Sequence, residues 1–301
     1  MIYHSPRFWS VSTACATIVI ILILFIIVGN IVVNGIGVIS WHFISGGTKE
    51  GMFDIEKASI FPMIFGTSAL VMLMTIFAVP VGVITGIYLI EYGDQTTILS
   101  RMIRISINNL AGVPSIVFGL FGLGFFVRFV GGGIDTIFFS SSPEPVYGKP
   151  AIIWAALTMA VLTLPVVIVA TEEALKAIPV AIREASLALG ATKLQTIYKV
   201  VLPQAMPGIL TGSILAISRG AGEVAPILFV GAAYFLAHLP IHLNDQFMNL
   251  GYHIFVLSTQ SPDIEATEPI LYGTVFVLLA LTFLLNLVAI LVRAKMRSMY
   301  S

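Results

Sequence analysis

Residues 176–206 read KAIPVAIREASLALGATKLQTIYKVVLPQAM, and the fold follows from this stretch and its surroundings. It is polar and basic, about thirty residues long, whereas most connections need only a few residues. Structure of its own is therefore expected. Pro179 suits a first helical position, Ile182, Ala185, Leu187 and Leu189 are apolar, and Gly190 is a natural left-handed stop. Thr192 reads as the cap of a second short helix carrying Leu194, Ile197, Val200 and Val201 and ending at Pro203. An exposed helix, glycine turn, helix unit with apolar side chains needs a partner to cover it. The plainer reading is a helix pair lying on a membrane surface.

On both sides of this segment the chain is apolar. Of 301 residues, 58% are hydrophobic and 10% charged, against roughly 45–50% and 25% in soluble domains, which excludes a soluble globular protein. Fifteen basic residues cancel fifteen acidic ones, so net charge offers neither a nucleic-acid surface nor a solubilising acidic tail. Cys15 is the single cysteine, so no intrachain disulfide can form.

A membrane crossing takes about 20 apolar residues as helix. Runs without Asp, Glu, Lys or Arg cover Phe8 to Thr48, Ala58 to Ile90, Ile105 to Val127, Pro150 to Thr171 and Pro269 to Val292. Two more, Val200 to Ser218 and Val224 to Asn244, are split by Arg219 and Glu223. Loop charge decides how to count them, because Lys and Arg favour the cytoplasmic side. With one crossing there, the chain has six spans, near 12–36, 62–90, 106–128, 150–172, 207–236 and 269–292. Arg7, Arg101, Arg104, Lys176, Arg183, Lys193, Lys199, Arg293, Lys295 and Arg297 then share one side. Seven spans would separate the basic C-terminal tail from Lys176 to Lys199. The expectation is an all-α integral membrane protein, one domain over 1–301, multi-pass, with both termini and the 176–206 loop cytoplasmic. The first run exceeds a signal-peptide core and lacks a convincing cleavage site, so it reads as an uncleaved helix.

Glu184-Ala185-Ser186, Gly190, nine residues and then Val200-Val201-Leu202-Pro203 resemble the EAA motif of binding-protein-dependent ABC permeases. Ser186 stands for the family's Ala and Val200 for its Ile. From about Phe61 to Arg297 the chain resembles phosphate ABC transporter permeases of the PstA type. The residues are Gly66-Thr67, Ala78-Val79-Pro80-Val81-Gly82, Ile87-Tyr88-Leu89-Ile90-Glu91-Tyr92, Gly112-Val113-Pro114-Ser115-Ile116-Val117-Phe118-Gly119-Leu120 and Ser218-Arg219-Gly220-Ala221-Gly222-Glu223-Val224-Ala225-Pro226. Val224 replaces a family Thr, and Ala58-Ser59-Ile60 stands where Gly-Gly-Ile is usual.

The resemblance implies a type I ABC importer permease (MetI-like) fold with a cytoplasmic coupling helix, in a bacterial inner membrane. It implies ATPase docking through Glu184, Ala185, Gly190, Leu202 and Pro203. The implied partners are a second permease of the PstC type, a PstB-type ATPase dimer and an extracytoplasmic PstS-type phosphate-binding protein. No Gly-x-x-x-x-Gly-Lys-Ser/Thr occurs, Gly148-Lys149-Pro150 being the nearest failure. ATP is then used by the partner ATPase, this chain is not an enzyme, and it binds no cofactor or metal.

Counted from Pro207 at about 1.5 Å per residue, Arg219 lies roughly 18 Å and Glu223 roughly 24 Å into the membrane. Gly208, Gly212, Ala216 and Gly220 fall in the same helical sector. That smooth face is expected to line a subunit seam, because small residues admit a neighbouring backbone and intramembrane charges face protein or water. Pro226 takes the helical partner from the carbonyl of Gly222, so a kink or water access is expected there. Arg219 offers a fork for a phosphate dianion, and Glu223 would repel the anion or hold Arg219 when the site is empty. The alternative is an i, i+4 salt bridge of structural value alone.

Pro114 marks a second candidate hinge, with Asn108, Asn109 and Ser115 as polar neighbours. Glu172 and Glu173 sit where the fourth span ends. His238, His242 and Asp245 have metal-like spacing, but Pro240 interrupts the helix that would align them. Rival readings are a permease for another oxyanion such as molybdate or sulfate, an ion-coupled secondary transporter with Glu223 as proton relay, and a purely structural membrane subunit.

Overall fold

The computed structural model describes residues 6–47, 58–93 and 97–300. Regular backbone is helical throughout the described residues, with a single isolated bridge between Ala232 and Phe247. Among the described residues six helices are long and apolar enough to cross a membrane, namely Trp9–Val38, Phe61–Tyr92, Ser115–Phe138, Ile152–Lys176, Lys193–Gly222 and Ile264–Lys295.

The bundle is organised around α7 (Ile152–Lys176), two thirds of whose most apolar stretch is buried. Helix α3 (Phe61–Ile87) packs along it, with Gly82 against Val167 and Gly86 against Thr171. Helix α10 (Leu202–Gly222) packs on its other side, where Gly208 meets Ala174 and Gly212 meets Ala170. An added Cβ at Gly212 would lie 2.1 Å from the Ala170 Cβ, so the crossing requires glycine. Leu70, Met74, Ala155, Met159, Ile227 and Val230 belong to the main core. By contrast α1 (Pro6–Gly35) is almost wholly exposed and rests on α12 (Ile264–Tyr300). A helix apolar all round and covered on one side suits lipid.

Of the small elements, α2 (Trp41–Ser45) is capped by Ser40. A π turn, Tyr88–Tyr92, ends α3. Helix α4 (Ile98–Ala111) precedes α5 (Ser115–Phe121), which continues through a π segment, Gly122–Gly131, into α6 (Gly132–Phe138). Asp135 of α6 accepts the backbone N–H groups of Val146, Tyr147 and Gly148 at 2.7–3.0 Å, pinning the loop before α7.

Three boundaries differ from the sequence expectation. The third span does not run over 106–128; it starts at Ser115 and reaches Phe138. Pro114 disfavours helix at Val113 and supplies no N–H, so the chain breaks at 112–114 and α4 stands apart. The second short helix of the loop does not end at Pro203. From α9 (Lys193–Thr196) it passes through a π turn, Ile197–Val201, straight into α10. Pro203 occupies the first turn of that new α segment, where its missing N–H costs nothing.

The third correction is the largest. Helix does not continue over 207–236: α10 stops at Gly222, and Glu223 is extended (φ −81°, ψ 131°). Pro226 removes the N–H that Gly222 needs and disfavours helix at Ala225, so the expected kink is a full stop. Residues 223–249 are irregular, and they lead to a helix absent from the sequence reading, α11 (Leu250–Gln260), capped by Asn249. The irregular segment returns to the start of α7, where the Ala151 N–H donates to Val230 O (2.8 Å) and the Ile152 N–H to Asp245 O (2.8 Å).

Candidate functional site

Where α10 ends is set by its register against α7. Gly208 and Gly212 meet Ala174 and Ala170, and Gly220 faces Met74 and Met159. Arg219 therefore stands level with the middle of α7, and the helix terminates halfway through the bundle. Beyond it the chain completes the crossing without helix. Non-helical backbone at membrane depth is tolerated where protein buries it or water lines it. Here Pro226, Ile227 and Val230 are buried, and the carbonyls of Ala225 and Pro226 lie against Gly119 of α5.

Arg219 and Glu223 are together, with Arg219 Nε 3.5 Å from Glu223 Oε1, but the contact is loose and the side chains are 45% and 23% exposed. Among the described residues the Arg219 guanidinium makes no hydrogen bond. Arg219 is also the only Lys or Arg between Lys199 and Arg293, and it sits beside the negative pole of a helix C-terminus. A charge at mid-depth costs about 2.5–3.5 kcal/mol on insertion scales, while an exposed ion pair returns about 0.2–1 kcal/mol. The pair does not account for keeping the charge there.

The smooth face departs from expectation. Gly208, Gly212 and Gly220 turn inward onto α7 and α3, so they form the core of this chain and no subunit seam, while Arg219 leaves the helix on an exposed flank. Gly222 has nothing within 4 Å of an added Cβ, so packing does not explain it. Pro114 stands at the N-terminus of α5, in the 112–114 break.

The second constellation is the loop after α7. Helix α8 (Val180–Ala188) follows Pro179, Gly190 turns the chain with φ +85°, and Thr192 with Gln195 forms a reciprocal capping box on α9. A β-branched residue at Gly190 would meet the left-handed penalty. Glu184, Ala185 and Gly190 are exposed, and so are Leu187, Leu189, Leu194 and Tyr198. Leu202 is partly buried in a cluster with Leu175, Val201, Ala205 and Ile209. The five expected docking residues therefore divide: three are presented, and Leu202 and Pro203 root the unit in the bundle. Ser186, the departure from the family's Ala, hydrogen-bonds Thr196 at 2.9 Å and ties the two short helices together.

Two ion pairs between residues far apart in the chain escaped the sequence reading. Arg104 of α4 holds Glu172 of α7 at 2.7 Å, and Arg183 of α8 holds Glu91 of the π turn at 3.1 Å. Arg104, Glu91 and Glu172 stood in plain view as charges near span ends and Arg183 in the loop, but the partners lie 68 and 92 positions apart. Of the metal-like trio, Asp245 Oδ2 accepts the backbone N–H groups of Ile241 and His242. The His242 N–H leads in holding its carboxyl below the usual range, and the spacing belongs to a turn.

This architecture, six long apolar helices of which the fifth ends halfway through the bundle beside irregular backbone, with a helix pair projecting at one end, is shared with chains of ABC transporters. It aligns with a chain of the inward-facing MetNI methionine ABC transporter at TM-score 0.59 and 20% identity, over 78% of this chain and 94% of that one. A chain of a bacterial alginate ABC transporter aligns at TM-score 0.60 and 15% identity, over 97% and 94%. The family described as "Binding-protein-dependent transport system inner membrane component" matches residues 78–298, and the chain belongs to that family. A probable ABC transporter permease protein, YqgI, of Bacillus subtilis (strain 168) is 32% identical over 78% of both chains. A phosphate transport system permease protein PstA of Xylella fastidiosa (strain 9a5c) is 33% identical over 75% of this chain and 73% of its own. PstA 1 of Mycobacterium tuberculosis (strain CDC 1551 / Oshkosh) is 40% identical over 56% of this chain and 50% of its own, so the chain spans half the length of that relative.

Proposed function

We propose that this permease carries inorganic phosphate and supplies half of the translocation path of an ATP-driven importer. The observation that supports it most is the open guanidinium of Arg219 at the mid-depth end of α10, in a chain similar to PstA permeases over three quarters of its length. A planar fork binds two oxygens of a phosphate at once. Glu223 competes for Arg219 when no anion is present and withdraws when one arrives, and the 3.5 Å contact is loose enough to exchange.

In this reading the partners are a PstC-type permease, two PstB-type ATPase copies and a PstS-type binding protein. ATP is spent on the ATPase, and this chain holds no cofactor. The 176–206 loop and both termini face the cytoplasm of a bacterial inner membrane, and the exposed Leu187, Leu189 and Leu194 meet the ATPase.

Uptake of radiolabelled phosphate by the reconstituted complex tests the substrate. Unlabelled phosphate is expected to compete at least tenfold better than molybdate or sulfate, and the reverse ranking overturns the assignment. Orientation and docking share one probe, Leu187→Cys in a Cys15→Ser chain. Labelling from the cytoplasmic side, with protection when the ATPase is bound, is expected. Labelling from outside overturns the orientation, and equal labelling with and without the ATPase overturns the docking.

A further inference from the structure

No residue of α8 is buried, so apolar packing does not fix this helix to the bundle. Beyond the Ser186–Thr196 hydrogen bond that ties it to α9, one side chain does. Arg183 donates from Nη1 to Ile178 O (2.5 Å), from Nη2 to Leu175 O (2.7 Å), and from Nε and Nη2 to Glu91 Oε1 (3.2 and 3.1 Å). The pair is 18% and 8% exposed. A single guanidinium thus joins α8 to the last turn of α7 and to the π turn that ends α3.

Two further cations reach the same five-residue turn. Arg104 of α4 donates to Leu89 O at 3.2 Å while pairing with Glu172 of α7, and Lys193 of α9 places Nζ 4.9 Å from the Tyr92 ring centre. Charge-assisted hydrogen bonds and a cation–π contact hold position and direction better than apolar contact does. From the turn, α3 runs back to Met74, about 21 Å away at 1.5 Å per residue, and Met74 abuts Gly220, the neighbour of Arg219. The tight crossings Gly82 on Val167 and Gly86 on Thr171 make α3 and α7 move together.

We infer that the π turn Tyr88–Tyr92 is the joint that passes movement of the docking helix to the Arg219 site, with Arg183 and Glu91 as its positioning residues. When α8 shifts, Arg183 pulls on Glu91 and on the end of α7 together, so the α3–α7 pair follows and Met74 displaces Gly220. Without the Glu91 link, α8 moves alone and ATP hydrolysis continues without transport.

This rests on the phosphate-importer reading, and the test separates the two. The complete complex is reconstituted in vesicles with loaded binding protein, and phosphate carried per ATP hydrolysed is measured. Glu91→Gln is expected to assemble, to hydrolyse ATP within twofold of wild type, and to carry about tenfold less phosphate per ATP. Cross-linking Glu91→Cys to Arg183→Cys is expected to restore the ratio, which a merely stabilising role does not predict. An unchanged ratio in assembled Glu91→Gln overturns the joint. If that variant fails to assemble, Tyr92→Leu, which removes the Lys193 contact alone, is expected to lower the ratio about twofold, and no change overturns the inference. A wild-type complex that carries no phosphate overturns the substrate reading instead; the joint is then read from α3 mobility, where a spin label at Ile76 should lose its ATP response in Glu91→Gln.

Discussion

Among the described residues three arginine–glutamate pairs form, and two of them, Arg183–Glu91 and Arg219–Glu223, are built in opposite ways. Arg183 and Glu91 are largely buried, come from elements far apart in sequence, and use the guanidinium on a carboxylate and two carbonyls at once. Arg219 and Glu223 are neighbours on one turn, half-exposed, 3.5 Å apart, and the fork is left open. A guanidinium with every partner supplied by the protein transmits force, because nothing small can displace it. One held by a single loose carboxylate is a place where a ligand can take over.

The largest effect that can break this comparison is at Arg219. Arg219→Gln removes the only cation of the 200–292 stretch, and phosphate uptake is expected to fall at least 100-fold while the complex still assembles. Arg219→Lys keeps the charge but loses the planar fork, with an expected loss of about tenfold. A structural salt bridge predicts another pattern, in which Arg219→Glu combined with Glu223→Arg recovers both assembly and uptake. Size exclusion for assembly and vesicle uptake for transport distinguish them. Normal uptake by an assembled Arg219→Gln complex removes this residue from the substrate path.

How much of this was legible in the sequence depends on the range of the signal. The helix–turn–helix geometry of the 176–206 loop was readable because its determinants are local: Gly190 does take positive φ, and Thr192 does cap α9. The break at Gly222 was half-readable, since Pro226 announced the lost hydrogen bond but not that the chain would leave the helix altogether. That outcome depends on Gly119 and Ala151 receiving the irregular segment, a tertiary fact. The direction of the small-residue face was misjudged for the same reason. Periodicity shows that Gly208, Gly212 and Gly220 share a face but not whether α7 or another subunit covers it. The Glu91–Arg183 link spans 92 positions, and no local pattern carries it.

A thermodynamic cycle sharpens the comparison without transport. In purified, detergent-solubilised chain, Glu91→Gln, Arg183→Gln and the double variant are expected to give a coupling of about 1–3 kcal/mol, since removing one member strands a buried partner. The matching cycle at Arg219 and Glu223 should give about 0.2–1 kcal/mol, as for exposed pairs. Thermal unfolding checks both. Equal couplings would erase the distinction between a joint and an exchangeable site.

The smallest effect concerns a group that the fold keeps uncharged. His253 lies on α11, outside the six crossing helices, and its Nδ1 is buried without a hydrogen-bond partner. Burial lowers its pKa from 6.5 to about 4. The sign follows from proton counting: between those values the unfolded chain binds the proton and the folded chain does not, so stability rises with pH. The contribution is complete above about 6.5 and is lost as pH falls through the window toward 4. Asp245, held below the ordinary carboxylate value of 3.8, titrates under that window and does not compete with it. Lowering pH from 7.5 to 5.5 is therefore expected to remove about 1 kcal/mol through His253. His253→Leu, which fills the site without a titrating atom, should flatten that part of the response when thermal midpoints are compared at the two pH values. An identical pH response in both chains would show that another group governs acid sensitivity.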